Sequence, residues 1–176
     1  MARFVVLLRG VNVGKGNRLP MADFKALLQG LGYTEVSTLL NSGNAVFSST
    51  GRSVLKHAEA IGQALEQQLG LRVSVIVKSG AEMAAAVSSN PLEVPEADHS
   101  KFLVAFVQDS SALQKLEGQQ ALAQPPERFA VGSEAAYLHC ANGILESKLG
   151  EALLKLGKGV TTRNWATVLK LVALSG

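Results

Sequence analysis

Five apolar residues in succession, Phe4-Val5-Val6-Leu7-Leu8, stand between Arg3 and Arg9 near the start of the chain. A half-exposed strand alternates apolar and polar residues, because successive side chains point to opposite faces. The unbroken run therefore predicts a central strand covered on both faces. It falls well short of the roughly 20 residues a membrane span needs, and nothing around it reads as a secretory signal. Neighbouring strands and covering helices must come from the residues that follow.

They follow at once. A loop rich in Gly and Asn closes at Pro20, which suits the first turn of a helix. Met21, Phe24, Leu27, Leu28 and Leu31 recur at helical spacing, and Gly30 and Gly32 end the helix. Residues 35–40 and 45–49 read as strands joined by the turn Asn41-Ser42-Gly43-Asn44, whose Gly and Asn tolerate positive φ. Ser53 can cap a second helix with Val54, Ala58, Ile61, Leu65 and Leu69 on one face, and Gly70 stops it. Val73, Val75 and Val77 then alternate along a fourth strand. Strand-helix-strand-strand-helix-strand with right-handed crossovers predicts an α+β subdomain over 1–79, a ferredoxin-like antiparallel sheet with both helices on one face.

Residues 80–176 predict a smaller α+β subdomain packed against the first. Ala81–Ser88 reads as a helix ended by Asn90-Pro91, and 93–98 as an acidic loop. Residues 101–108 form a strong strand, 111–122 a helix broken by Pro125-Pro126, and 129–131 and 135–140 further strands. Helices are expected over 147–156 and 163–174, the last capped by Thr161 or Thr162.

An apolar fraction of 47% and a charged fraction of 18% describe a globular chain with a real core. Cys140 is the single cysteine, and His57, His99 and His139 supply no metal-ligand spacing, so neither a metal nor another cofactor is expected. A reducing cytosol is the expected compartment. The net charge of +3 is uneven. Arg3, Arg9, Lys15, Arg18 and Lys25 face only Asp23 in the first 25 residues, the last 34 are also net basic, and the middle is acidic. Basic ends favour phosphates if they share a face, and are ordinary solvated surface if they do not.

The segments Arg9-Gly10-Val11-Asn12-Val13-Gly14, Leu19-Pro20-Met21 and Leu40-Asn41-Ser42-Gly43-Asn44-Ala45-Val46-Phe47 resemble the opening of a bacterial family, domain of unknown function 1697. Asn90-Pro91-Leu92, Asn142-Gly143-Ile144 with Ser147-Lys148-Leu149, and Thr161-Thr162-Arg163-Asn164-Trp165 with Val168-Leu169-Lys170-Leu171 resemble its later blocks. The resemblance implies a ferredoxin-like first half and a smaller α+β second half, and it implies no reaction. Lys15 precedes Gly16 where the family more often has Gly and then Lys, and Leu145-Glu146 stands where Gly-Arg is frequent. An anion site using an arginine at that second place would be weaker here.

If strands one and two run parallel with the third between them, their C-terminal ends share one sheet edge. The loop carrying Arg9, Gly10, Asn12, Gly14, Lys15 and Asn17 then lies beside Asn41, Ser42, Gly43 and Asn44. Basic side chains, amides and glycine N–H groups together suit an anion or the polar edge of a nucleotide. The spacing is not that of a P-loop, since three residues separate Gly10 from Gly14 and Asn17 follows Gly16. The competing reading is that Gly and Asn here only make tight turns. Thr162, Arg163, Asn164 and Trp165 form a second candidate, a helix N-terminus with an arginine. Ser147-Lys148 and His139-Cys140 are adjacent pairs whose side chains point apart, which argues against a nucleophilic dyad. The expected partner is thus an anionic small molecule or nucleic acid, with no membrane; the oligomeric state is left open. An enzyme using Lys15 or Ser42 in the same cleft, or a protein–protein adaptor, are the rival classes.

Overall fold

The computed structural model describes residues 1–13, 16–143, 147–155 and 159–176, with only the backbone described for Leu154. Mixed helices and two four-stranded antiparallel sheets make the protein α+β. The chain divides into two units, Met1–Met83 with Leu171–Gly176, and Ala84–Lys170.

In the first unit β1 (Ala2–Leu8) is followed by α1 (Met21–Gly30), β2 (Thr34–Leu39), β3 (Asn44–Ser49), α2 (Val54–Leu69) and β4 (Val75–Ser79). The sheet order is β2-β3-β1-β4, so the apolar run is central as expected. Phe4 lies opposite Phe47 on one side and Ser79 on the other. Phe4, Val6 and Leu8 join Phe24, Leu28, Phe47, Ile61 and Leu65 in one core, while Val5 and Leu7, on the opposite face, are equally buried. Ser53 caps α2 by accepting from Lys56 N at 3.2 Å, and Gly70 ends it at φ +67. Burial and helix ends thus follow the local chemistry of the chain. The fourth strand begins at Val75, so Val73 precedes it.

His57 on α2 is braced between the carbonyl of Gly51 and the hydroxyl of Tyr33, each 2.8 Å away. A carbonyl only accepts, so Nε2–H donates to Gly51 and Nδ1 accepts from Tyr33. Both ring nitrogens are hydrogen-bonded. Phe4, Tyr33 and Phe47 surround the ring. The helix α3 (Gly80–Ser88) begins where Gly80 passes the backbone so closely that an added Cβ would lie 2.8 Å from the carbonyl of Ser175.

The second unit is built on β5 (Phe102–Val107), buried along its whole length. Then come α4 (Leu113–Glu117), β6 (Arg128–Val131), β7 (Ala136–His139), α5 (Lys148–Lys155), β8 (Val160–Asn164) and α6 (Trp165–Ser175), of which residues 165–170 belong to this unit. The sheet order is β6-β7-β5-β8. Leu103, Ala105, Leu113, Leu116, Leu138, Leu149 and Leu153 form its core.

Three expectations change here. The helix expected over 111–122 is broken into a 3-10 turn at Ser110–Ala112, the short α4, and another 3-10 turn at Gln120–Leu122. Gly118 follows α4, and a glycine costs a helix interior about 1 kcal/mol relative to alanine. The acidic loop acquires a 3-10 helix, Glu96–Lys101. Most consequentially, residues 160–164 are a strand, so neither Thr161 nor Thr162 caps the last helix. Val160, Thr161 and Thr162 are β-branched and complete the open side of β5, with Ala105 opposite Thr162. Asn164 is the residue whose Oδ1 accepts from Thr167 N, at 2.9 Å, at the start of α6. The expected helix over 147–156 starts one residue later, with Ser147 Oγ accepting from Gly150 N at 2.9 Å; residue 156 lies outside the described residues.

Candidate anion-binding site

The loop after β1 is stitched to both neighbouring segments of its sheet. Leu8 N donates to Gly43 O at 2.8 Å, and Arg9 N to Ser74 O at 3.0 Å. Gly10 turns the chain at φ +74, and Val11 drops back into the core. Space there is closed by the hairpin turn. A Cβ on Gly43, which has φ +89, would lie 2.7 Å from both Leu8 Cβ and Val11 Cγ2. Only glycine fits that conformation and that approach.

Asn12, at φ +56, is the clasp of the loop. Its Oδ1 accepts from Leu19 N at 2.9 Å. Its Nδ2 donates to Leu19 O and to Asn41 O, both at 2.8 Å. Its backbone N–H donates to Asn17 O at 3.0 Å. One side chain therefore closes the loop on itself and ties it to the turn. Asn17 Nδ2 reaches Gly10 O at 3.4 Å. Asn44 is fully buried and donates to Leu39 O at 3.0 Å and Ser42 Oγ at 2.8 Å. The amides expected to face a ligand are thus largely engaged with the protein's own backbone, as the tight-turn reading has it.

What faces outward is a different subset. An open cavity of about 250 Å³ is lined by Asn12, Arg18, Leu19, Pro20 and Asn41. Arg18 is exposed at this cavity and makes no ion pair among the described residues. Asn41 and Ser42 are exposed beside it. Leu40 is 53% exposed at φ +59, a conformation a leucine rarely holds, and Val13 is 68% exposed. Of the expected residues, Asn12 and Asn41 line the cavity, Arg9 and Gly10 open the loop, and Gly43 and Asn44 lie beneath the turn. Gly14 and Lys15 lie outside the described residues. Arg18 was not among the expected ligand residues. Its signal was present in the sequence, as a basic residue next to Asn17, but Leu19-Pro20 read only as the entry to α1.

Thr162, Arg163, Asn164 and Trp165 belong to the second unit, where the helix N-terminus expected at Thr162-Arg163 is replaced by β8. Arg163 is buried, and its guanidinium donates to Thr161 Oγ1 at 2.7 Å and Thr162 O at 2.9 Å. Burial lowers its pKa to about 10. Trp165 packs on Phe102 with ring centroids 5.0 Å apart.

One contact in the second unit escapes any reading of adjacent residues. His139 Nε2 meets Asp98 Oδ2 at 3.0 Å, and Nδ1 meets the guanidinium of Arg128 at 3.2 Å. Arginine only donates, so Nδ1 accepts and Nε2–H donates to the carboxylate. Arg128 also donates to Glu93 O. The imidazole is a brace with both nitrogens used, not a free base. Cys140 is buried, and its thiol is pushed up to about 11 by burial, assisted by the charge of Glu127 and opposed by a hydrogen bond with Ser147. Such a thiol is unreactive at neutral pH. Among the described residues no group of three or more His, Cys, Asp or Glu could hold a metal, and no helix is long and apolar enough to cross a membrane.

Comparison with solved structures finds the same fold in a protein titled as the conserved bacterial protein SP0830 from Streptococcus pneumoniae. The two share 22% identity over 99% of each chain, with a TM-score of 0.79. Comparison with curated proteins finds no match. The model of the family described as protein of unknown function (DUF1697) matches residues 1–137, which takes in the loop, the turn and the cavity between them. The chain belongs to the DUF1697 family.

Proposed function

We propose that this protein is a binding module for a ligand with an anionic group, a phosphate of a nucleotide or of an RNA backbone, seated at the cavity lined by Asn12, Arg18, Leu19, Pro20 and Asn41. The observation that carries the reading is the division of roles in the loop. Asn12 is engaged in closing the loop on Leu19 and tying it to Asn41, and Arg18 stands exposed at the concavity that results. A guanidinium offers two parallel N–H donors to a phosphate. At about 250 Å³ the cavity is below the usual range for a whole drug-sized ligand, so it takes the charged group while the rest lies outside. Val13 and Leu40, exposed next to Asn12 and Asn41, offer apolar contact to that remainder. The basic residues of the first 25 positions add long-range attraction that salt will weaken.

The strand order β2-β3-β1-β4, with α1 and α2 as crossovers, supports describing the first unit as ferredoxin-like. The bacterial cytosol is the setting we infer, from the bacterial family resemblance and the single buried cysteine.

The test is a calorimetric titration of wild type and Arg18→Ala with inorganic phosphate, adenosine monophosphate and a short single-stranded RNA. Saturable binding that Arg18→Ala weakens at least about tenfold supports the proposal. Absence of binding by all three, or equal binding by the variant, overturns it.

A further inference from the structure

The second unit carries a cavity of the opposite character. The turn Gln124–Glu127 and the turn Cys140–Gly143 enclose about 360 Å³ lined by Gln124, Pro125, Glu127, Asn142 and Gly143. Each turn is held by its own backbone bond, Glu127 N to Gln124 O and Gly143 N to Cys140 O, both 2.8 Å. Gly143 sits at φ +95, so the wall there is bare backbone. Among the described residues, the charged group in the lining is the Glu127 carboxylate. Its Oε1 accepts from Gln124 N at 3.2 Å, which fixes its direction, and among the described residues it has no other partner. A carboxylate has about four acceptor positions, so most of its capacity is open. Gln124 and Asn142 add two carboxamide oxygens.

We propose that this cavity is a binding site for a primary ammonium group on a short aliphatic stem. An ammonium has three N–H donors, and the lining offers one carboxylate and two carboxamide oxygens to receive them. Pro125 and the Gly143 backbone supply uncharged walls for methylene groups. A calcium-like ion takes six to eight oxygens, more than these side chains bring. An anion would meet the carboxylate with no opposing cation among the described lining residues. The reach of Glu127 is visible at Cys140, whose thiol stands at about 11 through burial first and in part through the Glu127 charge.

The test uses isotope-labelled full-length protein at fixed ionic strength, titrated with butylammonium, with Nα-acetyl-lysine amide and with sodium butyrate while backbone amide shifts are followed. The expected result is a saturable shift at Gln124, Glu127, Asn142 and Gly143 with one or both cations and none with butyrate. The ratio of the two cations distinguishes a small free amine from a lysine side chain of a peptide. Glu127→Gln should weaken binding at least about tenfold, and Asn142→Ala by a smaller factor, with amide shifts elsewhere unchanged. No saturable shift in wild type, equal binding by Glu127→Gln, or equal binding of butyrate overturns the proposal.

Discussion

Asn12 commits its carbonyl oxygen and both amide hydrogens inside the first unit, and Arg18, in the same loop, makes no ion pair among the described residues. The two substitutions should therefore separate stability from binding. Asn12→Ala removes three hydrogen bonds at roughly 1 kcal/mol each, so a loss of about 2–3 kcal/mol in urea unfolding is expected. Arg18→Ala should stay within about 0.5 kcal/mol of wild type in the same assay while losing anion affinity. If Arg18→Ala unfolds as readily as Asn12→Ala, the guanidinium is holding the loop and the assignment of roles is reversed. That an Asn and an Arg stood in this loop was legible in the sequence. Which of them was occupied was not, because the partners of Asn12 are backbone atoms of Leu19 and Asn41, brought close only by the fold.

At the scale of elements, the turn between β2 and β3 and the start of α6 are the sensitive points. Gly43→Ala places a Cβ 2.7 Å from Leu8 and Val11 at a backbone conformation that L-residues avoid. It should cost at least about 2 kcal/mol and shift amide resonances throughout the 8–12 loop, whereas Gly10→Ala, with open space around it, should show only the conformational cost of about 1 kcal/mol. Asn164→Ala removes the acceptor of Thr167 N and should lower stability by about 1 kcal/mol, with Thr162→Ala, whose backbone carbonyl still accepts from Arg163, the comparison that keeps the cap. A cap assigned to Thr162 predicts the reverse order. The sequence placed the capping residue too early because Thr is a good cap in isolation. The competing preference, β-branched residues for a strand, wins once β5 offers an unpaired side.

For the molecule as a whole, buried weak acids shape the response to alkali. The Cys140 thiol is raised from about 9 to about 11, mainly by burial, and burial also raises the phenols of Tyr33 and Tyr137 above their usual value. A group that holds its proton more tightly when folded contributes stability that is complete below its unfolded pKa. That contribution is lost as pH rises toward its folded value. Stability should accordingly fall between about pH 9 and 11, by up to roughly 3 kcal/mol from the thiol alone. Denaturant unfolding at pH 8 and pH 10.5 measures it, and Cys140→Ala should flatten the part due to the thiol. An equally steep fall in that variant would assign the effect to the tyrosines.

Much of the first unit was determined by the chain locally. The Phe4–Leu8 run, the Ser53 cap and the Gly70 stop each work through groups within a few residues, so their outcome could be read in order along the sequence. The strand directions even brought the loop beside the turn, which the bond from Asn12 to Asn41 makes concrete. The tertiary structure decided what depended on distant partners. It set β8 against β5 and turned Arg163 inward. It joined Asp98 to His139, and turned the Asn12 amide onto the backbone while Arg18 stayed exposed at the cavity. The physical reason is common to all four. Local pattern states which groups a residue can bond, and only the folded backbone determines which of those groups stand within three ångströms.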